Sequence, residues 1–265
     1  MNRKLPVALT IAGSDPSGGA GIQADIKTFT ALGVYGQSVI TSLTAQNIFE
    51  VTAIQDIPPA FVAKQIDALY NDLGFDSVKI GMLSNKKIIG VVADKIKQYK
   101  IKNIVLDPVI VATSGALLLN KNAIGLLKSE LIPRSLVITP NIHEAEVLTG
   151  KTIRETESIK QAASELRELG CPYVLIKGGH RRDTVNSNDL LYDGKSFTEF
   201  RAKRLSSMNF HGTGCTFSAA ICAGLALGKD PEDAVRSAKK FISTSLARSL
   251  GYKKKQRRLI HYRKS

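Results

Sequence analysis

Short apolar runs alternate with amphipathic stretches along most of the chain. The runs at 7–12, 38–44, 51–57, 77–80, 103–107, 136–139 and 173–176 are rich in Val, Ile and Leu and end in polar or glycine residues, which predicts strands. Between them, 22–32, 60–73, 86–99, 123–131, 143–148 and 158–169 carry apolar residues at helical spacing. Pro58 and Pro59 suit the first turn of the helix that starts near 60. The segments 189–192 and 196–201 flank Asp193-Gly194 and predict a hairpin. An Ala-rich helix through Leu227 and a second helix over 231–250 follow. Strand followed by helix, with few long loops, predicts an α/β fold. Its central, mostly parallel sheet is flanked by helices on both faces, in three layers, α-β-α. The strands at 38–44 and 51–57 are expected to form a small flap at one side.

Composition narrows this picture. The 265 residues are 43% hydrophobic, enough for a sizeable core, and no apolar run approaches a membrane span. The start of the chain does not read as a leader, so a cytoplasmic location is expected. The net charge is +14, but residues 234–265 hold 11 Lys and Arg and no acid, against 26 Lys and Arg and 23 Asp and Glu before them. The basic excess therefore belongs to the C-terminal end. The expected organisation is one domain over 1–250 and a basic extension over 251–265. That extension is expected to be solvated. Nucleic-acid binding through it is the lesser reading, because no zinc-finger, RNP-like or basic-zipper pattern accompanies it. Three cysteines, Cys171, Cys215 and Cys222, have neither the number nor the spacing of a disulfide scaffold or a zinc site.

The chemistry-bearing residues cluster at strand ends. Asp15, Gln46, Gly81-Met82, Asp107, Asn141 and Lys177 each lie just past a predicted strand, the edge at which open α/β sheets bind ligands. The loop Gly13-Ser14-Asp15-Pro16-Ser17-Gly18-Gly19-Ala20-Gly21 is neither a Walker A motif nor a G-x-G-x-x-G fingerprint. Asp15 and Asp25 are its candidate polar anchors. The stretch Phe210-His211-Gly212-Thr213-Gly214-Cys215-Thr216 leads into the Ala-rich helix. It reads either as an anion hole made of free helix N–H groups or as a plain turn before a core helix. In the first case the same field is expected to lower the Cys215 thiol pKa. Asn141 and Glu144 read as a helix cap or as a magnesium site reached through water. Lys177 reads as a phosphate-facing charge or a surface lysine. Together they suggest phosphoryl transfer, with Gly212 and Gly214 in the anion hole and Cys215 accepting a proton. The rival is covalent catalysis by Cys215, for which no adjacent His-Asn or His-Asp pattern exists.

Several blocks carry a family resemblance. They are Ala8-Leu9-Thr10-Ile11-Ala12-Gly13-Ser14-Asp15-Pro16-Ser17-Gly18-Gly19-Ala20-Gly21-Ile22-Gln23-Ala24-Asp25, Thr44-Ala45-Gln46-Asn47, Lys79-Ile80-Gly81-Met82-Leu83, Asp107-Pro108-Val109, Thr139-Pro140-Asn141 with Glu144, Lys177-Gly178-Gly179-His180, and His211-Gly212-Thr213-Gly214-Cys215-Thr216. In this order, over about 5–250, they resemble the hydroxymethylpyrimidine/phosphomethylpyrimidine kinases of thiamine biosynthesis. The resemblance implies a ribokinase-like fold, usually dimeric. It also implies two ATP-dependent transfers, onto 4-amino-5-hydroxymethyl-2-methylpyrimidine and then onto its monophosphate. It assigns Gly13, Asp25, Gln46, Met82 and Val109 to the pyrimidine, and Asp107, Asn141, Glu144, Lys177 and Thr213 to Mg²⁺ and ATP. It assigns Cys215, Gly212, Gly214 and Lys177 to the transfer itself, and a homodimer as the assembly. Relatives with the same Cys-containing turn phosphorylate pyridoxal or pyridoxine, which is the alternative. Two departures stand out: Thr113 replaces a family lysine in Val111-Ala112-Thr113-Ser114-Gly115, and Phe210 replaces a threonine before the His-Gly-Thr-Gly-Cys turn.

Overall fold

The computed structural model describes residues 5–47, 49–111, 119, 121–178, 187–202, 210–252 and 256–258. Thr113, His180, Asn209 and the basic run 253–255 lie outside the described residues.

The elements follow the expected order. Strand β1 (Val7–Ser14) leads to α1 (Gly21–Ala31), then β2 (Tyr35–Gln46), β3 (Val51–Asp56) and α2 (Pro59–Asn71). Next come β4 (Ser77–Ile80), α3 (Lys86–Tyr99) and β5 (Ile104–Leu106). After an irregular helical stretch that contains the single turn α4 (Ile124–Leu126), the chain forms β6 (Val137–Ile138), α5 (Ile142–Thr149), α6 (Thr156–Glu168) and β7 (Tyr173–Ile176). The hairpin β8 (Asp189–Tyr192) and β9 (Phe197–Phe200) precedes α7 (Thr213–Ala226) and α8 (Pro231–Ala247). A last pair, β10 (Leu250–Tyr252) and β11 (Gln256–Arg258), forms its own two-stranded antiparallel sheet, so part of the expected solvated extension is ordered.

The main sheet has the order β3-β2-β1-β4-β5-β6-β7-β8-β9. The strands from β2 to β7 in that order are mutually parallel, and β3, β8 and β9 are added through antiparallel pairing. One face packs on α2, α3, α5 and α6 through a large aliphatic cluster that includes Leu9, Ile11, Ile66, Val92, Ile138 and Leu166. The other is covered by α1, α7 and α8, with Ala8, Phe29, Val105, Leu175, Phe217 and Ile221 at its centre. No described helix is long and apolar enough to cross a membrane.

Two expectations change. The predicted helix at 123–131 is a chain of short turns, a 3₁₀ turn at Lys121–Ala123, α4, a π turn at Leu127–Leu131 and a 3₁₀ turn at Ile132–Arg134. Pro133 lacks an N–H and closes it. The flap, expected from two short strands, is built on one long strand. β2 is long enough that its first half pairs parallel with β1 while its second half, Ser42 to Gln46, pairs with β3 and runs past the end of β1, whose last residue, Ser14, lies opposite Leu43. The flap is thus a continuation of the sheet, and it overhangs the carboxyl end of β1.

Candidate active site

Strand order reverses at β1: the chain steps outward to β2 on one side and to β4 on the other. The carboxyl ends of β1 and β4 therefore frame a crevice, where α/β sheets bind ligands. Gly13 closes its floor. A Cβ there would stand 2.9 Å from Ser42 Oγ and 3.1 Å from Met82 Sδ, so Gly13, Ser42 and Met82 form one wall. The Met82 carbonyl accepts from Thr41 Oγ1 at 2.8 Å, which ties β4 to the flap strand.

Asp15 organises the flap side. Its carboxylate accepts from Ser17 N (2.9 Å), Ser17 Oγ (3.0 Å), Gly19 N (3.2 Å) and Ala20 N (2.8 Å), and it meets His211 Nε2 at 2.8 Å. Burial alone would raise its pKa, but the donors from His211, Ser17 and Ala20 outweigh it and hold the carboxyl at about 2. His211 Nε2 also lies 3.4 Å from Gln46 Nε2. The loop after β1, the tip of β2 and the lead-in to α7 thus meet at one polar clasp.

The start of α7 docks on that loop by backbone. Gly212 has φ +81°, and a Cβ on it would fall 1.7 Å from Gly19 O. Only glycine permits both the left-handed turn and this approach. Thr213 Oγ1 donates to Phe210 O at 3.0 Å.

The other side of α7 carries buried charge. Lys177 Nζ donates to Asp107 Oδ1 at 2.7 Å, and Ser218 Oγ donates to Asp107 Oδ2 at 3.1 Å. A Cβ on Gly214 would stand 3.3 Å from Lys177 Nζ, which places the first turn of α7 on this pair. Asn141 caps α5 in a reciprocal box: Glu144 N donates to Asn141 Oδ1 (2.9 Å), and Asn141 N to Glu144 Oε2 (2.8 Å). The cap and the ligand readings of this pair are therefore compatible, since Glu144 is a cap that also faces charge. Burial lifts its pKa to about 7, against the pull of Lys177 and with the push of Asp107. Burial also acts to raise Asp107, but Lys177 and Lys79 bring it below the usual carboxylate range. Burial works to lower Lys177, yet Asp107 and Glu144 keep it raised. Beside this group Gly178 N donates to Asp189 Oδ1 (2.9 Å), and Lys239 Nζ meets Asp189 Oδ2 (2.6 Å).

Two sequence readings are corrected. Asp25, expected to contact substrate, is fully buried in α1. Its Oδ2 accepts from Thr10 Oγ1 (2.6 Å) and from the equally buried Lys79 (2.8 Å). It lies beneath the ends of β1 and β4, not on the surface of the crevice. The Cys215 thiol, expected to be acidified by the helix start, is instead pushed up to about 11. Burial is the main cause; Asp25 and Asp107 add to it, and Lys79 opposes it. Gly13, Gln46, Met82, Asp107, Asn141 and Lys177 lie at or just past strand ends, with Val109 half-buried just beyond Asp107. Sequence reasoning missed His211 as a partner of Asp15, Ser218 as a partner of Asp107, and Lys79. A lysine inside the apolar run 77–80 was the one available signal.

A largely parallel α/β sheet carries a glycine-rich helix start between a polar crevice and a buried lysine–carboxylate group, an arrangement suited to a phosphotransferase. The profile of the phosphomethylpyrimidine kinase family matches residues 15–259, and the chain belongs to that family. It is 48% identical over 243 residues to a hydroxymethylpyrimidine/phosphomethylpyrimidine kinase of Rhizobium meliloti, covering 91% of this chain and 90% of that protein. It is also 48% identical over 257 residues to a thiamine biosynthesis bifunctional protein of Geobacter sulfurreducens; that match covers 95% of this chain but 52% of the relative, so the chain spans about half its length. Among solved structures it is similar to a phosphomethylpyrimidine kinase from Clostridium difficile 630 (TM-score 0.81, 42% identity, 91% of this chain and 99% of the other). It is also similar to an ADP complex of Bacillus subtilis pyridoxal kinase (TM-score 0.90, 35% identity, 97% of each chain).

Proposed function

We propose that this chain, as a single kinase domain over 1–250 with a basic extension, transfers the γ-phosphoryl group of ATP to 4-amino-5-hydroxymethyl-2-methylpyrimidine and then to the resulting monophosphate. The observation that carries this reading is the position of Gly212–Cys215 between the Gln46–His211–Asp15 clasp and the Lys177–Asp107–Glu144 group. One flank suits a flat polar ring and the other suits polyphosphate.

The ring lies against Gly13, Met82 and Val109, with Gln46 at its polar edge. An amide suits that edge because it both donates and accepts. The hydroxymethyl oxygen attacks the γ-phosphorus as the bond to the β,γ-bridging oxygen breaks, and the alcohol proton passes to Cys215 Sγ. N–H groups at the start of α7, with Thr213, hold the transferring oxygens, and Lys177 neutralises the charge that moves to the leaving group. In the second transfer the attacking phosphate oxygen is already anionic and needs no base. Two buried carboxylates, Asp107 and Glu144, face one ammonium, Lys177, and this excess of negative oxygen donors fits a divalent cation that keeps most of its waters. Glu144 would hold Mg²⁺ through water, and the ion when bound supplies charge neutralisation on the polyphosphate.

Incubation with ATP, Mg²⁺ and the hydroxymethylpyrimidine is expected to give the monophosphate, then the diphosphate; absence of both from folded protein sinks the proposal. Pyridoxal, run beside it, tests the second reading, which the TM-score of 0.90 to a pyridoxal kinase favours. The identities of 42% and 48% to pyrimidine kinases, against 35%, favour the first. A homodimer is part of the proposal; exposed Leu43 and Phe49 near the flap support it, and light scattering of the purified chain tests it.

A further inference from the structure

Hydrogen counting around Gln46 gives more than a polar contact. The Asp15 carboxylate receives only donors: three backbone N–H groups, of Ser17, Gly19 and Ala20, and the Ser17 hydroxyl, before His211 is counted. An ionised carboxylate only accepts. His211 Nε2, 2.8 Å from Asp15 Oδ2, must therefore carry a hydrogen. That nitrogen cannot also accept from the Gln46 amide 3.4 Å away. On the other side, Thr44 Oγ1 has one hydrogen and gives it to Ser14 O at 2.8 Å. Toward Gln46, 3.2 Å away, Thr44 can then only accept. The two neighbours independently require the same amide orientation: Oε1 toward His211 and Nε2 toward Thr44. Oxygen and nitrogen of an amide are assigned by such a network.

We infer that His211 and Thr44 are positioning residues that lock the Gln46 amide in one orientation and thereby set which aromatic edge the kinase accepts. The Thr44 hydroxyl takes one Nε2 hydrogen, while the single Nε2 hydrogen of His211 stays with Asp15 and only bars the amide N–H from that side. Oε1 and the second Nε2 hydrogen remain, side by side at the tip. The acceptor lies on the side of the α7 lead-in, because His211 immediately precedes Gly212; the donor lies on the side of the flap strand. A substrate whose hydroxymethyl group must reach Cys215 then needs an amine on the neighbouring ring carbon, to donate to Oε1. It needs a ring nitrogen one position further, to accept from Nε2. A 4-amino-5-hydroxymethylpyrimidine has that order. The 4-oxo analogue presents a carbonyl and a ring N–H, the reverse. A 3-hydroxypyridine has no ring nitrogen beside the substituted carbon.

This inference rests on the proposed pyrimidine kinase activity, and the test separates the two. The ratio of kcat/KM for the 4-amino over the 4-oxo pyrimidine is measured for the wild type, Thr44→Val, His211→Phe and Thr44→Ser. The wild type is expected to favour the 4-amino ring by at least about 10²-fold, as expected of a site built around a polar edge. Thr44→Val and His211→Phe free the amide to flip, and the ratio is expected to fall at least about 10-fold. Thr44→Ser keeps the hydroxyl and is expected to keep the ratio. A merely structural role would lower both substrates together and leave the ratio unchanged, which overturns the inference. Nitrogen-15 NMR of the folded wild type, with His211 assigned by its loss in His211→Phe or His211→Asn, is expected to show the proton on Nε2; a proton on Nδ1 alone overturns the lock. That readout needs neither substrate turnover nor a stable variant at Thr44. Failure of the wild type on both pyrimidines, with Nε2 protonated, would count against the activity and not against the lock.

Discussion

On the flap side of α7, Asp15 draws its partners from its own loop and from one histidine, and Gln46 and His211 remain partly open to solvent. On the far side, Asp107, Glu144 and Lys177 are buried and must compensate one another. The first region is built of directional neutral contacts around one carboxylate, which select shape and hydrogen-bond order. The second is built of opposed charges at the ends of β5, β6 and β7, which suit any polyphosphate. Under the proposed function, selectivity and phosphoryl chemistry fall on opposite flanks of one helix start.

Cys215 stands at the junction and gives the largest expected effect. Cys215→Ala should lower the first phosphorylation by about 10²–10⁴-fold, the range of a positioned base, and the second by less. With the thiol pKa at about 11, the thiolate is scarce near neutrality. The first step of the wild type should therefore rise with pH across 7–10 while the second stays flatter, and alkylation of Cys215 should quicken over the same range. Equal losses in both steps, or a flat profile for the first, would remove the base role.

Lys177→Met breaks the far flank alone. Two carboxylates are left buried without their ammonium, for which a loss of about 3–5 kcal/mol is expected in thermal or denaturant unfolding. In whatever fraction folds, kcat should fall about 10²–10³-fold. Pyrimidine binding, read by calorimetry without nucleotide, should hold; its loss would mean that the flanks are not separable.

The elements and most strand-end residues could be read from the chain because parallel strands, buried on both faces, are written as short apolar runs closed by polar residues. The clasp could not. Asp15 and His211 are 196 positions apart, and only the docking of Gly212 on Gly19 brings them together. The Cys215 thiol was misjudged for a related reason: the helix start is local and visible, but the burial that dominates, and the Asp25 and Asp107 carboxylates that add to it, come from distant parts of the chain. The irregular turns over Lys121–Arg134 carry an apolar period like that of a helix, and the sequence has no sign of its uneven winding.

Gln46→Leu breaks the near flank. An unpaired ring edge costs about 1–3 kcal/mol, so kcat/KM for the pyrimidine should fall about 10–100-fold while the KM for ATP is kept. An unchanged value would move Gln46 away from the ring.

The smallest effect belongs to Asp15→Asn. The folded carboxyl sits at about 2, below its ordinary value of 3.8, so its contribution to stability is complete above about pH 4 and fades as pH falls toward 2. The wild type should exceed Asp15→Asn by about 1–2 kcal/mol near neutrality, a gap that closes on acidification. A gap independent of pH would assign the difference to packing.

The place of α7 in the chain has a consequence for synthesis. Every strand of the main sheet precedes Thr213, yet α7 is the element that covers β1, β4 and β5 together with α1. A chain leaving the ribosome can pair its strands and bury their first face under α2, α3, α5 and α6 long before the second face has its lid. Until α7 and α8 emerge, Ala8, Val105 and Leu175 lack the apolar partners they later bury against, a state prone to sticking. Ribosomes stalled before Thr213 should therefore carry nascent chains that recruit chaperones, and release of the last two helices should complete fold and catalyst in a single event.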